Sequence, residues 1–212
     1  SGRTPYVTIA LILANVVVFL GYWLTIPDEN ALGWFFMTWG LVPGEVMQGH
    51  GLQGFVTSMF LHGGWMHLIG NMWFLWIYGD NIEDILGKGK YILFYLLCGL
   101  AAGLVHVLLN PGSRVPTIGA SGAIAGVMGA YIAKFPQSRI LTLVPIFVFI
   151  QMIEIPAVFI LAYWFLLQIF NGVGQIGYSN VSGGGVAWFA HIGGFAAGYL
   201  LIRLMPTRER FG

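Results

Sequence analysis

The chain has 212 residues, of which 58% are hydrophobic and only 8% charged, and its mean hydropathy is +0.81. A soluble domain carries roughly a quarter charged residues, so the composition excludes that class and places the chain in a membrane. The net charge of +1 argues against a nucleic-acid partner, which calls for a basic patch.

Apolar runs lie near 6–26, 55–79, 91–109, 117–134, 153–170 and 186–205, each approaching the about 20 residues that a spanning helix needs. The expectation is an all-α polytopic membrane protein with six transmembrane helices. It would form a single domain over 1–212, with a large loop at 27–54 and a short tail at 206–212. The first run is long enough to span and does not read as a cleaved leader. In the loop, Trp34 and Trp39 suit the headgroup level. The second run opens with polar and histidine content, "TSMFLHGGWMHLIGNMW", and the fourth is short and rich in small residues. Segment 140–152 is apolar but contains Pro145 and precedes Pro156. It reads as an interfacial or partly buried connection into the fifth helix. Cys98, the single cysteine, reads as a packed apolar residue.

Loop charges predict an orientation. With six spans, Arg3, Lys88, Lys90, Lys134, Arg139, Arg203, Arg208 and Arg210 share one side and only Arg114 lies on the other. This is a positive-inside pattern. It predicts a multi-pass protein of a plasma (inner) membrane, with both termini cytoplasmic.

Polar groups at bilayer depth are costly and usually face an interior cavity. The candidates are Ser121, His62, His67, Asn71, His106, Glu154 and His191. Ser121 sits in "TIGASGAIAG", where Gly122, Gly126 and Ala130 make a small face, and a lone serine there reads most simply as helix packing. His191 changes that reading, because "AHIGGFAAGYL" puts Gly194 and Gly198 on a second small face. Contact between the two faces would bring an imidazole base to the hydroxyl, which a serine nucleophile requires.

His67 and Asn71 are four apart and share one helical face. Each has a bland role available, as a core histidine and as an interhelical hydrogen bond. Together with the Ser121 backbone N–H, they could donate to an oxyanion. A zinc site is rejected: His62 and His67 are five apart, about 140° around a helix, and no H-E-x-x-H pattern is present. No cofactor is expected. His62 reads as a brace, His106 as packing or an interface residue, and Glu154 as a boundary residue. Asp80, Glu83 and Asp84 read as a structural charge patch. With no carboxylate near His191 in the sequence pattern, the chemistry would be a Ser–His dyad whose imidazole is oriented by packing or another hydrogen bond.

The motifs "GASG" at 119–122, "AHIGG" at 190–194 and "HGGWMHLIGN" at 62–71 together resemble the rhomboid intramembrane serine proteases, of the bacterial six-helix type. The likeness covers essentially the whole chain. It implies Ser121 as nucleophile, His191 as general base, and His67 and Asn71 in the oxyanion hole, with His62, Gly119 and Gly122 in support. It also implies a water-filled cavity opening to the outer side. The partners would be membrane lipids and transmembrane protein substrates, cut near the outer end of their helix. Two positions depart from the family pattern. Gln53-Gly54 stands where many members have Trp-Arg, and Ala125 stands where some place an aromatic that stacks on the histidine. His191 therefore needs a different packing partner. Two other classes fit the composition. A non-catalytic relative that binds membrane proteins usually lacks a catalytic residue, whereas none is missing here. A channel or transporter is disfavoured by the absence of an internal repeat.

Overall fold

The computed structural model describes residues 3–146, 149–176 and 187–208. In chain order its helices are α1 (Tyr6–Thr25), α2 (Glu29–Trp39), α3 (Pro43–Val46), α4 (Gly54–Thr57), a 3-10 turn (Ser58–Phe60), α5 (Trp65–Leu86), α6 (Lys88–Leu109) and α7 (Ser121–Lys134). Strands β1 (Arg139–Ile146) and β2 (Phe149–Pro156) follow, then α8 (Ala157–Ile176) and α9 (Trp188–Leu204).

The centre of the fold is α7. Every residue from Gly122 to Tyr131 is buried, as expected of a helix that is apolar all round. It is enclosed by α5, α6 and α9. The small face of α7 admits α9 at backbone contact: a Cβ at Gly194 would overlap the Gly122 carbonyl, and one at Gly198 the Gly126 carbonyl. Cys98 of α6 packs against Gly126, where an added Cβ would overlap its side chain, and is fully buried.

Two polar clasps hold α1, one against α5 and one against the segment that precedes α5. Glu83 accepts from the Val7 N–H at 2.9 Å, the Thr8 N–H at 2.8 Å and the Thr8 hydroxyl at 2.9 Å. A buried carboxylate from α5 thus serves the orphan amides that open α1. At the other end, the Tyr22 hydroxyl donates to the His62 carbonyl at 2.6 Å and accepts from the His62 N–H at 2.9 Å.

The predominantly helical architecture fits an all-α membrane fold, with corrections to the sequence reading. Residues 140–146 and 149–152 lie in an antiparallel strand pair, with Arg139 opposite Pro156 and Leu143 opposite Met152. The pair is closed at its base by Ala157 N–H to Ser138 O at 2.7 Å. Its run of Ile, Leu, Val and Phe favours extended backbone over an irregular connection. Region 27–54 holds three helix starts, and Asp28 caps α2 through the Ala31 N–H at 2.7 Å. Trp34 and Trp39 on α2 are exposed. Among the described residues, α1 and α6 are the helices long and apolar enough to cross a membrane, and α8 is a shorter apolar helix. The 14 residues of α7 reach only about 21 Å, and α5 carries Asp80, Glu83 and Asp84 within its span. Arg210 and the end of the 206–212 tail lie outside the described residues.

Candidate active site

The position of Ser121 follows from the turn before it. Leu41 and Thr117 exchange backbone hydrogen bonds at 2.9 and 2.8 Å, and the Gly119 N–H donates to the Ser58 carbonyl at 2.9 Å. Gly119 has φ +133°, a conformation that a side chain would disfavour. The chain then enters α7 with Ser121 as its first residue, and the first bond of the helix runs from Ile124 N–H to Ala120 O. The amides of Ser121, Gly122 and Ala123 precede that bond and have no partner within the helix.

His106, read from sequence as a packing or interface residue, braces this turn. The Asn110 amide donates toward His106 Nδ1 at 3.4 Å, which leaves the Nε2–H to donate to the Thr117 hydroxyl at 2.8 Å.

The close fit of α7 and α9 sets His191 against Ser121, with Nε2 and Oγ 2.8 Å apart. The other ring nitrogen, Nδ1, lies 2.7 Å from the Gln168 side-chain oxygen of α8. Gln168 and His191 are both buried. In place of an aromatic at 125, the ring packs against Trp164, with centroids 5.7 Å apart, and Trp188, at 6.4 Å.

His67 and Asn71 stand on α5 across from Ser121. The Gly63 N–H donates to His67 Nδ1 at 3.3 Å, so His67 Nε2 carries the ring proton. That atom faces Gly119: a Cβ there would sit 2.9 Å from His67 Nε2 and 3.4 Å from Ser121 Oγ. Glycine at 119 therefore keeps open the space between hydroxyl and imidazole. The Asn71 amide donates one hydrogen to the His67 carbonyl at 2.8 Å and retains a second. These groups line a cavity of about 220 Å³ together with Phe74, Met128 and Trp164. No carboxylate lines it among the described residues.

His62 is fully buried behind this wall, its ring centroid 5.0 Å from that of His67. It lies outside the cavity, held through the Tyr22 clasp. Glu154 is exposed and 3.8 Å from Arg139. Gln168 and Trp164 escaped the sequence reading. The available signal was a lone amide within an apolar run, four residues after a tryptophan and thus on the same helical face.

A family model described as "Rhomboid domain" matches residues 49–208. The chain is 31% identical over 168 residues to "RHOMBOID-like protein 6, mitochondrial" of Arabidopsis thaliana, covering 79% of this chain and 48% of that protein. It is 34% identical over 97 residues to "Presenilin-associated rhomboid-like protein, mitochondrial" of Mus musculus, covering 44% of this chain and 26% of the relative. It is also 42% identical over 73 residues to "Rhomboid-like protein 11, chloroplastic" of Arabidopsis thaliana, covering 34% and 26% respectively. The chain thus spans less than half the length of these curated relatives. Their names place them in organelles, which overturns the expectation of a plasma membrane with cytoplasmic termini and an outward-facing site. The charge asymmetry on which that expectation rests ranks the two sides of a membrane and carries no label for which membrane it is.

Proposed function

This chain belongs to the rhomboid family, and from that premise we propose that it is an intramembrane serine endopeptidase acting on transmembrane protein substrates. Residues 1–212 form, in this reading, a single membrane-embedded domain built on six spans. From the relatives' names, it works in an organellar membrane. The observation that carries the reading is the 2.8 Å contact between Ser121 Oγ and His191 Nε2, beside a cavity lined by spare donors.

In this mechanism Ser121 Oγ attacks the scissile carbonyl carbon while its proton passes to His191 Nε2. The resulting oxyanion receives hydrogen bonds from the Ser121 N–H, the His67 Nε2–H and the free hydrogen of Asn71. His191 then gives its proton to the leaving amine, and an acyl-enzyme remains on Ser121. Water attacks the acyl carbon and loses a proton to His191, which returns it to Ser121 Oγ as the acyl–oxygen bond breaks and the carboxyl product leaves. Gly119 keeps the oxyanion space unfilled, and the His106–Thr117 brace holds the turn that presents the nucleophile.

The test is cleavage of a single-span substrate reconstituted with the protein in liposomes. Ser121→Ala and His191→Ala should each abolish cleavage while the purified variants keep the wild-type helical content. Cleavage surviving in either folded variant contradicts the assignment.

A further inference from the structure

We propose that Gln168 is a positioning residue that fixes the tautomer of His191, so that the base presents a lone pair to Ser121. The inference rests on the serine protease reading above and supplies the orienting group that a dyad lacks.

Gln168 donates from Nε2 to the Trp164 carbonyl at 3.2 Å, one turn back on α8. That carbonyl can only accept, so the amide nitrogen is committed to it and the side-chain oxygen is turned the other way. The opposite amide orientation would set oxygen against oxygen. The oxygen that faces His191 lies 2.7 Å from Nδ1 and has no proton to give. Nδ1 must therefore carry the hydrogen, which leaves Nε2 as the acceptor 2.8 Å from the Ser121 hydroxyl. The chain of bonds is Trp164 carbonyl, Gln168 amide, His191 ring, Ser121 hydroxyl, and each link dictates the direction of the next.

Burial makes the arrangement consequential. Gln168 is 5% exposed and His191 8%, so water competes weakly for either nitrogen. Without the amide oxygen, the ring would be free to hold its proton on Nε2, where it cannot accept from Ser121. The same logic explains how an orienting group can be uncharged. During attack the amide dipole also lies with its negative end toward the imidazolium as it forms. Trp164 serves twice, packing on the ring with its indole and anchoring Gln168 with its carbonyl.

The test measures labelling of the detergent-purified protein by a fluorophosphonate at sub-saturating probe. In that reaction the Ser121 Oγ–phosphorus bond forms, the phosphorus–fluorine bond breaks, fluoride leaves, and the hydroxyl proton passes to His191. Gln168→Met keeps the length and apolar packing but lacks the amide acceptor, while Gln168→Glu keeps an acceptor and loses the donor to Trp164. A tautomer role predicts that Met labels about three- to tenfold more slowly, the range that one hydrogen bond supplies, and that Glu retains more of the wild-type rate than Met does. For a reconstituted substrate the loss should fall on kcat with KM little changed. A packing role predicts the reverse order, with Met close to wild type and Glu worse, and that order would overturn the inference. Thermal melting of both variants identifies any loss due to unfolding. Labelling that persists in Ser121→Ala would defeat the protease reading itself. Labelling that is lost there but unchanged in Gln168→Met would defeat only the role of Gln168.

Discussion

Gly198 of α9 lies directly on the Gly126 carbonyl of α7, so close that a Cβ at 198 would overlap it. This approach, repeated by Gly194 on Gly122, is what brings the ring of His191 to the start of α7. Helix propensity favours alanine over glycine by about 1 kcal/mol, yet overpacking costs about 1–3 kcal/mol and here the obstacle is backbone. Gly198→Ala should therefore lower the melting temperature in detergent and slow the site's chemistry together. A variant as stable and as active as wild type would show that the helices need no such approach.

The open space at Gly119 makes a second prediction. Gly119→Ala would force a side chain into a backbone with φ +133° and place its Cβ 2.9 Å from His67 Nε2. We expect kcat to fall by about 100-fold, the size of effect seen when an oxyanion donor is lost. Substrate turnover in liposomes checks it, and wild-type kcat would contradict the placement of the oxyanion beside Gly119.

His67 and Asn71 should behave as donors rather than as packing. Asn71→Ala removes the spare amide hydrogen and should lower kcat by roughly 100-fold while KM changes little. His67→Ala should act in the same direction, though it also releases the Gly63 contact. A rise in KM with kcat preserved would assign these side chains to substrate binding instead.

A fourth prediction concerns stability. Glu83→Ala removes a buried acceptor that takes three hydrogen bonds from Val7 and Thr8. Three hydrogen bonds at about 1.5–3 kcal/mol each sum to about 4.5–9 kcal/mol, and single substitutions rarely exceed about 4–5 kcal/mol, so a loss of about 4 kcal/mol is expected from unfolding in mixed micelles. Glu154→Ala is the contrast. Its pairing with Arg139 at 3.8 Å is largely exposed, and such pairs contribute about 0–1 kcal/mol. Equal effects of the two changes would contradict the clasp at the start of α1.

The sequence made Ser121 and His191 legible because each is polar in an apolar run and sits on a helix whose small residues announce a close neighbour, and His67 and Asn71 because two polar side chains four apart share one helical face. Gln168 was as polar, and Gly172 one turn on packs against Trp188 and Phe189 of α9, but a single glycine does not identify His191 as the partner. Its role exists only once the tertiary fold brings the amide to Nδ1. The paired strands at 139–146 and 149–156 were obscured for a related reason. A continuous apolar run has the same appearance in a strand as in a buried connection, and a proline within it suggests a break. The helices inside 27–54 were hidden by glycine and proline, although Asp28 before Glu29 was a readable start signal. His106 pairs with Thr117 eleven residues on, across a turn whose shape depends on the distant Leu41.

The central claim is that Ser121 is a nucleophile activated by His191, and peptide mapping after fluorophosphonate treatment tests it most directly. The account predicts one adduct, carried by the peptide containing Ser121, and none in folded His191→Ala. An adduct elsewhere in the wild-type chain, or the same adduct mass on Ser121→Ala, would contradict it.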